Sequence, residues 1–153
     1  MKIRQILNLV LLAFPLFLLA SCTTDDENYD KQLVGTWYVD RTKTKLTLET
    51  KGDKDKLEKV VMDDYSYRSL TFNSNQSMVI LFDDILTRAR EDEAKGEYDA
   101  KDNRLSLYLD NGENKYLQYY VNGDELKLII DATADYQEAT MVQIELYAYK
   151  NKR

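Results

Sequence analysis

From Leu105 to Tyr149 apolar and polar side chains alternate with a period of two, and turn signals cut the pattern at short intervals. Leu105, Leu107 and Leu109 alternate with Ser106 and Tyr108, and Asp110-Asn111-Gly112 follows. Lys115 to Val121 is the next run, then Asn122-Gly123-Asp124, then Leu126, Leu128 and Ile130. Beyond a loop from Asp131 to Glu138, Val142, Ile144, Leu146 and Ala148 alternate with Gln143, Glu145, Tyr147 and Tyr149. This period puts successive side chains on opposite faces of a strand, so each run reads as a half-buried strand. Asn-Gly and related pairs tolerate the positive φ that a tight hairpin needs.

The first half is less regular but of the same kind. Gly35 to Asp40 and Lys43 to Glu49 read as strands, the second with Leu46 and Leu48 on one face. Residues 51–64 are charged, with Leu57, Val60 and Val61 at helical spacing; a short helix, a long loop and an extended hairpin tip all fit. Tyr65 to Asn73 reads as a strand with Tyr65, Tyr67, Ser69 and Thr71 on one face and Leu70 and Phe72 on the other. Ser74-Asn75-Gln76 turns the chain into the apolar strand Ser77 to Phe82, and residues 83–95 give no clear pattern. Gly96 to Asp99 leads into a turn at Ala100-Lys101-Asp102-Asn103. About eight or nine strands at this spacing predict a sandwich or a barrel. Consecutive hairpins favour an all-β, antiparallel up-and-down barrel of about eight strands, because closure removes exposed edges. The Leu/Ile face then points inward and leaves Tyr108, Tyr147 and Tyr149 outside.

The first 21 residues are of another kind. Lys2 and Arg4 precede an apolar stretch from Ile6 to Leu19, which fits a secretory signal and is short and Pro-broken for a membrane-spanning helix. Leu19-Ala20-Ser21-Cys22 resembles the lipobox of bacterial lipoproteins, in which the thiol after two small residues takes the lipid. That resemblance implies cleavage after Ser21, acylation of Cys22 and a membrane as partner. The acidic run Asp25-Asp26-Glu27 resembles the surface-export signal of lipoproteins of the Bacteroidetes. It implies an outer-membrane lipoprotein exposed at the cell surface, with a periplasm-facing one as the alternative. The expected organisation is a signal over 1–21, a lipidated flexible tether over 22–30 and one barrel domain over 31–153.

Composition narrows the function classes. The chain holds 21 basic and 27 acidic side chains; Lys2 and Arg4 leave with the signal and no acid does, so the net charge moves from −6 to −8. An acidic surface argues against a nucleic-acid partner. Cys22 is the one cysteine, so no disulfide forms within a monomer. There is no His, hence no imidazole base, and no Gly-x-Ser-x-Gly, Ser-x-x-Lys or Gly-rich phosphate loop appears. No enzyme activity and no cofactor are expected. The acidic pairs lack calcium-loop spacing and read as solvated charges, so no metal is expected either.

Gln32-Leu33-Val34-Gly35-Thr36-Trp37-Tyr38 resembles the G-x-W opening of lipocalins. Leu70-Thr71-Phe72-Asn73, Gly96-Glu97-Tyr98 leading to Leu105-Ser106-Leu107, and Asn122-Gly123-Asp124-Glu125-Leu126-Lys127-Leu128 are similar to segments of small lipocalin-like lipoproteins. The resemblance spans about residues 31–150. It implies that Gly35 starts the first strand, that Trp37 plugs one barrel end, and that Lys150 or Arg153 lies across the indole. It also implies a small apolar or amphiphilic ligand held by a monomer. Other signature regions of lipocalins are not recognisable here.

All twelve Tyr lie beyond the signal. Tyr65, Tyr67, Tyr116, Tyr119 and Tyr120 are the candidate ligand-binding residues, since a phenol offers an apolar ring and a polar tip. The alternative is a side-chain-filled barrel acting as a protein- or glycan-interaction module.

Overall fold

Each alternating run pairs with the next along the chain. The computed structural model describes residues 30–83 and 93–151. Its strands are β1 (Gly35–Val39), β2 (Lys45–Thr50), β3 (Tyr67–Phe72), β4 (Ser77–Phe82), β5 (Glu93–Lys101), β6 (Arg104–Leu109), β7 (Asn114–Asn122), β8 (Glu125–Asp131) and β9 (Ala139–Tyr149), with one α-helix, α1 (Lys54–Asp64). From β3 to β9 the strands form an antiparallel meander. β1 pairs with β3 on one side and with β9 on the other, through Tyr38↔Tyr149 and Val39↔Ala148, which closes an eight-stranded barrel. β2 is the extra strand. It continues past β1 along β9, with Leu46 opposite Ile144 and Leu48 opposite Val142.

Turn chemistry fixes these registers. Asp102 and Asn103 both take positive φ, 52° and 62°, as a two-residue hairpin requires. Between β1 and β2 a 3₁₀ turn at Arg41–Lys43 is capped by Asp40, whose carboxylate accepts from Thr42 N at 3.1 Å. Within residues 51–64, left open by the pattern, Lys54–Asp64 forms α1. Asp53 caps it by accepting from Lys56 N at 3.1 Å, and Leu57 and Val61 face inward, Val61 fully buried. The helix packs against β2.

The Leu/Ile face points inward as expected. Leu70, Phe72, Met78, Ile80, Leu105, Leu107, Leu126, Leu128, Ile144 and Leu146 are all buried. Two tyrosines depart from simple alternation. Tyr67 was expected to share a face with Ser69 and Thr71. A register shift between Tyr67 and Ser69 instead turns Tyr67 inward with Leu70 and Phe72. Tyr149 holds the outward position next to inward Ala148 but is only 2% exposed, because Lys43 lies over its ring and donates to its hydroxyl. Tyr108 is exposed on the outer wall, as expected.

Trp37 lies inside one end of the barrel and is fully buried. Its indole Nε1–H donates to Leu33 O at 2.7 Å, so the ring brings no unpaired polar atom into the core. Lys150 Nζ sits 4.9 Å from the indole centroid, one of the two contacts anticipated; Arg153 lies outside the described residues. Gly35 has φ +134°, a conformation that side-chain-bearing residues rarely adopt. We expect Trp37→Ala to lower stability by about 3–5 kcal/mol in urea denaturation. An unchanged midpoint would show that Trp37 does not plug the barrel.

Candidate functional site

The two barrel ends are built differently. At the Trp37 end the strands join through short turns, at 73–76, 102–103 and 123–124. Phe72 and Tyr98 meet edge to face there, 5.0 Å apart, and Tyr98 Oη donates to Asn73 O at 2.8 Å. Tyr119 Oη donates to Asp30 Oδ2 at 3.0 Å and ties the segment before β1 to this end. Trp37, Leu33, Phe72, Tyr98 and Leu126 are fully buried there.

Among the described residues the other end is open. A cavity of about 830 Å³ is lined by Tyr65, Tyr67, Ile80, Phe82, Ala94 and Leu109, which continue the inward face, and by Tyr136 from the β8–β9 connection. Among the described residues its rim carries Asp64, Glu93, Glu113 and Asp135 against one cation, Lys115. Tyr67 packs edge-on against both Tyr65 and Phe82, at 5.8 and 5.4 Å. The mouth therefore has an aromatic wall and an acidic rim.

Two phenols brace the opening. Tyr65 Oη donates to Asp135 Oδ2 at 3.0 Å, and Tyr136 Oη donates to Asp64 Oδ2 at 2.9 Å. These bonds tie the α1–β3 junction to the β8–β9 connection in both directions. Lys115 Nζ lies 5.2 Å from the Tyr65 ring centroid, so this ring already attracts a cation. Burial first, then Tyr67 and Asp135 beside Tyr65 and Asp64 beside Tyr136, pushes both phenols well above their usual range. They stay protonated near neutrality and act as donors.

The structure divides the five candidate tyrosines. Tyr65 and Tyr67 line the mouth. Tyr119 is buried at the opposite, filled end. Tyr116 and Tyr120 point outward and are 66% and 44% exposed. Alternation carries the reason: Leu117, Tyr119 and Val121 take the inward positions of β7, and Tyr116 and Tyr120 take the outward ones. Sequence reasoning did not single out Tyr136, Phe82 or Lys115. An aromatic within the otherwise polar loop Asp131–Glu138 was the available signal for Tyr136.

A second concavity of about 700 Å³ lies on the outer wall of β6–β9 and has Tyr116 and Met141 among its lining. Cys22 and residues 84–92 lie outside the described residues. No protein-family model, curated protein or solved structure matches the chain.

The raised phenols set a sign for alkaline behaviour. The fold holds Tyr65, Tyr119 and Tyr136 above the unfolded value near 10, burial being the first cause in each case. Their contribution to stability is complete below that value and is lost as pH rises above it. We expect phenolate absorbance to rise in two stages, with these three tyrosines ionising only as the barrel unfolds. A single stage completed by the still-folded protein would contradict the bracing role.

Proposed function

We propose that the protein is a membrane-anchored bacterial lipoprotein whose lipocalin-like barrel holds one small amphiphilic molecule in its open mouth, without catalysis. The observation that carries this reading is the asymmetry of the barrel. One end is filled by Trp37 and its neighbours, and the other opens into a cavity of about 830 Å³ lined by Tyr67, Ile80, Phe82 and Leu109. That size lies within the roughly 300–1,000 Å³ of small-molecule sites, and the lining joins these apolar side chains to polar ones, Asn111, Glu113, Asn114 and Lys115 among them, as a molecule with both an apolar and a polar part requires.

The rim narrows the ligand. Among the described residues four carboxylates face one ammonium, so an anionic head such as a fatty-acid carboxylate would meet net repulsion from them. A neutral or cationic head above an apolar body suits the mouth better. The protonated phenols of Tyr65 and Tyr136 serve as struts, which leaves the binding reading without a proton-transfer step. The G-x-W opening, with a Lys across the indole, supports the lipocalin likeness. The lipobox-like Leu19-Ala20-Ser21-Cys22 supports the anchor, and the acidic run after it supports the cell surface.

The neutral apolar dye N-phenyl-naphthylamine tests the mouth. We expect the full-length protein to bind it with enhanced fluorescence and saturable, single-site behaviour. Ala94→Trp fills the cavity and is expected to weaken binding at least tenfold, while the urea midpoint stays near that of the parent. Absence of dye binding, or binding that Ala94→Trp leaves unchanged, would contradict the reading.

The anchor is tested separately. Cys22→Ala is expected to abolish labelling by palmitate and to release the protein from membranes. Persistent palmitate labelling of the variant would overturn the assignment of Cys22.

A further inference from the structure

The outer concavity is separate from the mouth and differs from it in chemistry. Ser106 pairs with Tyr116 and Arg104 with Gln118 across β6–β7; Gln118 faces Ile129 on β8, and Asp131 faces Gln143 on β9. Consecutive outward positions on four strands thus form one patch, and all seven of these residues line the concavity. Tyr116 stands at one wall, 66% exposed, and Met141 is 39% exposed.

The polar groups here have hydrogen-bonding capacity to spare. Among the described residues the side chains of Arg104, Ser106 and Gln143 make no hydrogen bond or ion pair to the protein. Asp131 uses one oxygen, Oδ1, for Thr133 N at 3.0 Å and Thr133 Oγ1 at 2.7 Å. Those bonds fix its carboxylate and leave Oδ2 for another partner. They also lower its pKa, the Thr133 hydroxyl first, so it is an acceptor at neutral pH.

Charge decides between occupants. Arg104 and Asp131 cancel, so the groove is formally neutral on a protein whose net charge is −6. A basic peptide would find no acidic excess there, and an anionic lipid or polymer would find no basic excess. A polyhydroxylated neutral ligand meets its complement: a flat exposed ring for its C–H face, and amide, guanidinium, carboxylate and hydroxyl groups for its hydroxyls. We propose that this groove is a carbohydrate-binding site for a neutral oligosaccharide, with Tyr116 as the stacking platform and Arg104, Gln118, Asp131 and Gln143 as the hydroxyl partners.

The test is a binding screen of the purified full-length protein against immobilised neutral oligosaccharides (gluco-, manno-, xylo- and chito-oligomers), with sulfated and uronic acid oligomers and basic peptides alongside. Hits are then titrated in solution. At least one neutral oligomer is expected to bind. Tyr116→Ala, at an exposed position that leaves the core intact, is expected to weaken it at least tenfold. Arg104→Ala and Gln143→Ala are expected to weaken it less, and Tyr108→Ala, elsewhere on the outer wall, to leave it unchanged. Ala94→Trp is expected to leave it unchanged too, which separates this site from the mouth. Binding of charged oligomers or peptides alone, no binding of any neutral oligomer, or neutral binding indifferent to Tyr116→Ala would each overturn the proposal.

Discussion

The barrel depends on how β9 is held. On one side this strand pairs with β8 from Glu125↔Tyr149 to Asp131↔Gln143. On the other it is shared: β2 takes its first half, and β1 takes only Tyr149 and Ala148. That short junction converts an open sheet with two unpaired edges into a closed barrel. The junction is reinforced from outside, because Lys43 covers Tyr149 and donates to it. It is reinforced from inside by Trp37, which sits on β1 next to the paired Tyr38 and is roofed by Lys150 from just beyond β9.

The same arrangement creates the asymmetry between the ends. β1 lies between β3 and β9, whereas β2 pairs with β9 alone. At the β2 level α1 packs against β2 and adds Leu57 and Val61 to the core. At the end where β1 is held on both sides, Trp37 and Phe72 are buried. The mouth at the other end is lined from β3 to β7 and from the β8–β9 connection. Tyr65 and Tyr136 brace the wider end by crossed hydrogen bonds to Asp135 and Asp64. Such bonds to charged acceptors in a partly buried place contribute more than neutral ones at the surface.

Much of this was legible in the sequence, because it is local. Leu105, Leu107, Leu109 and the later Leu/Ile runs fix strand faces by alternation alone, and Asp102-Asn103, Gly112 and Asn122-Gly123 mark the hairpins. Trp37 lies buried on β1 beside Gly35, and Lys150 lies over its indole. What was not legible depends on departures from local pattern or on distant partners. The shift after Tyr67 flips one side chain to the other face, and nothing in Tyr65-Ser66-Tyr67-Arg68 announces it. Tyr119 and Tyr116 belong to the same run, yet one is buried at the filled end and the other stands on the outer wall. The mouth draws on the α1–β3, β6–β7 and β8–β9 connections, far apart in sequence, so Tyr136 and Lys115 join Tyr65 only in three dimensions.

The central claim is that the barrel is filled at the Trp37 end and receives a ligand at the other. Methyl-resolved NMR of the full-length protein titrated with N-phenyl-naphthylamine tests it most directly. The account predicts shift changes at Ile80, Ala94 and Leu109, with Leu33, Leu126 and Ala148 unmoved. Changes centred on Leu33, Leu126 and Ala148, or spread evenly along the barrel, would contradict it.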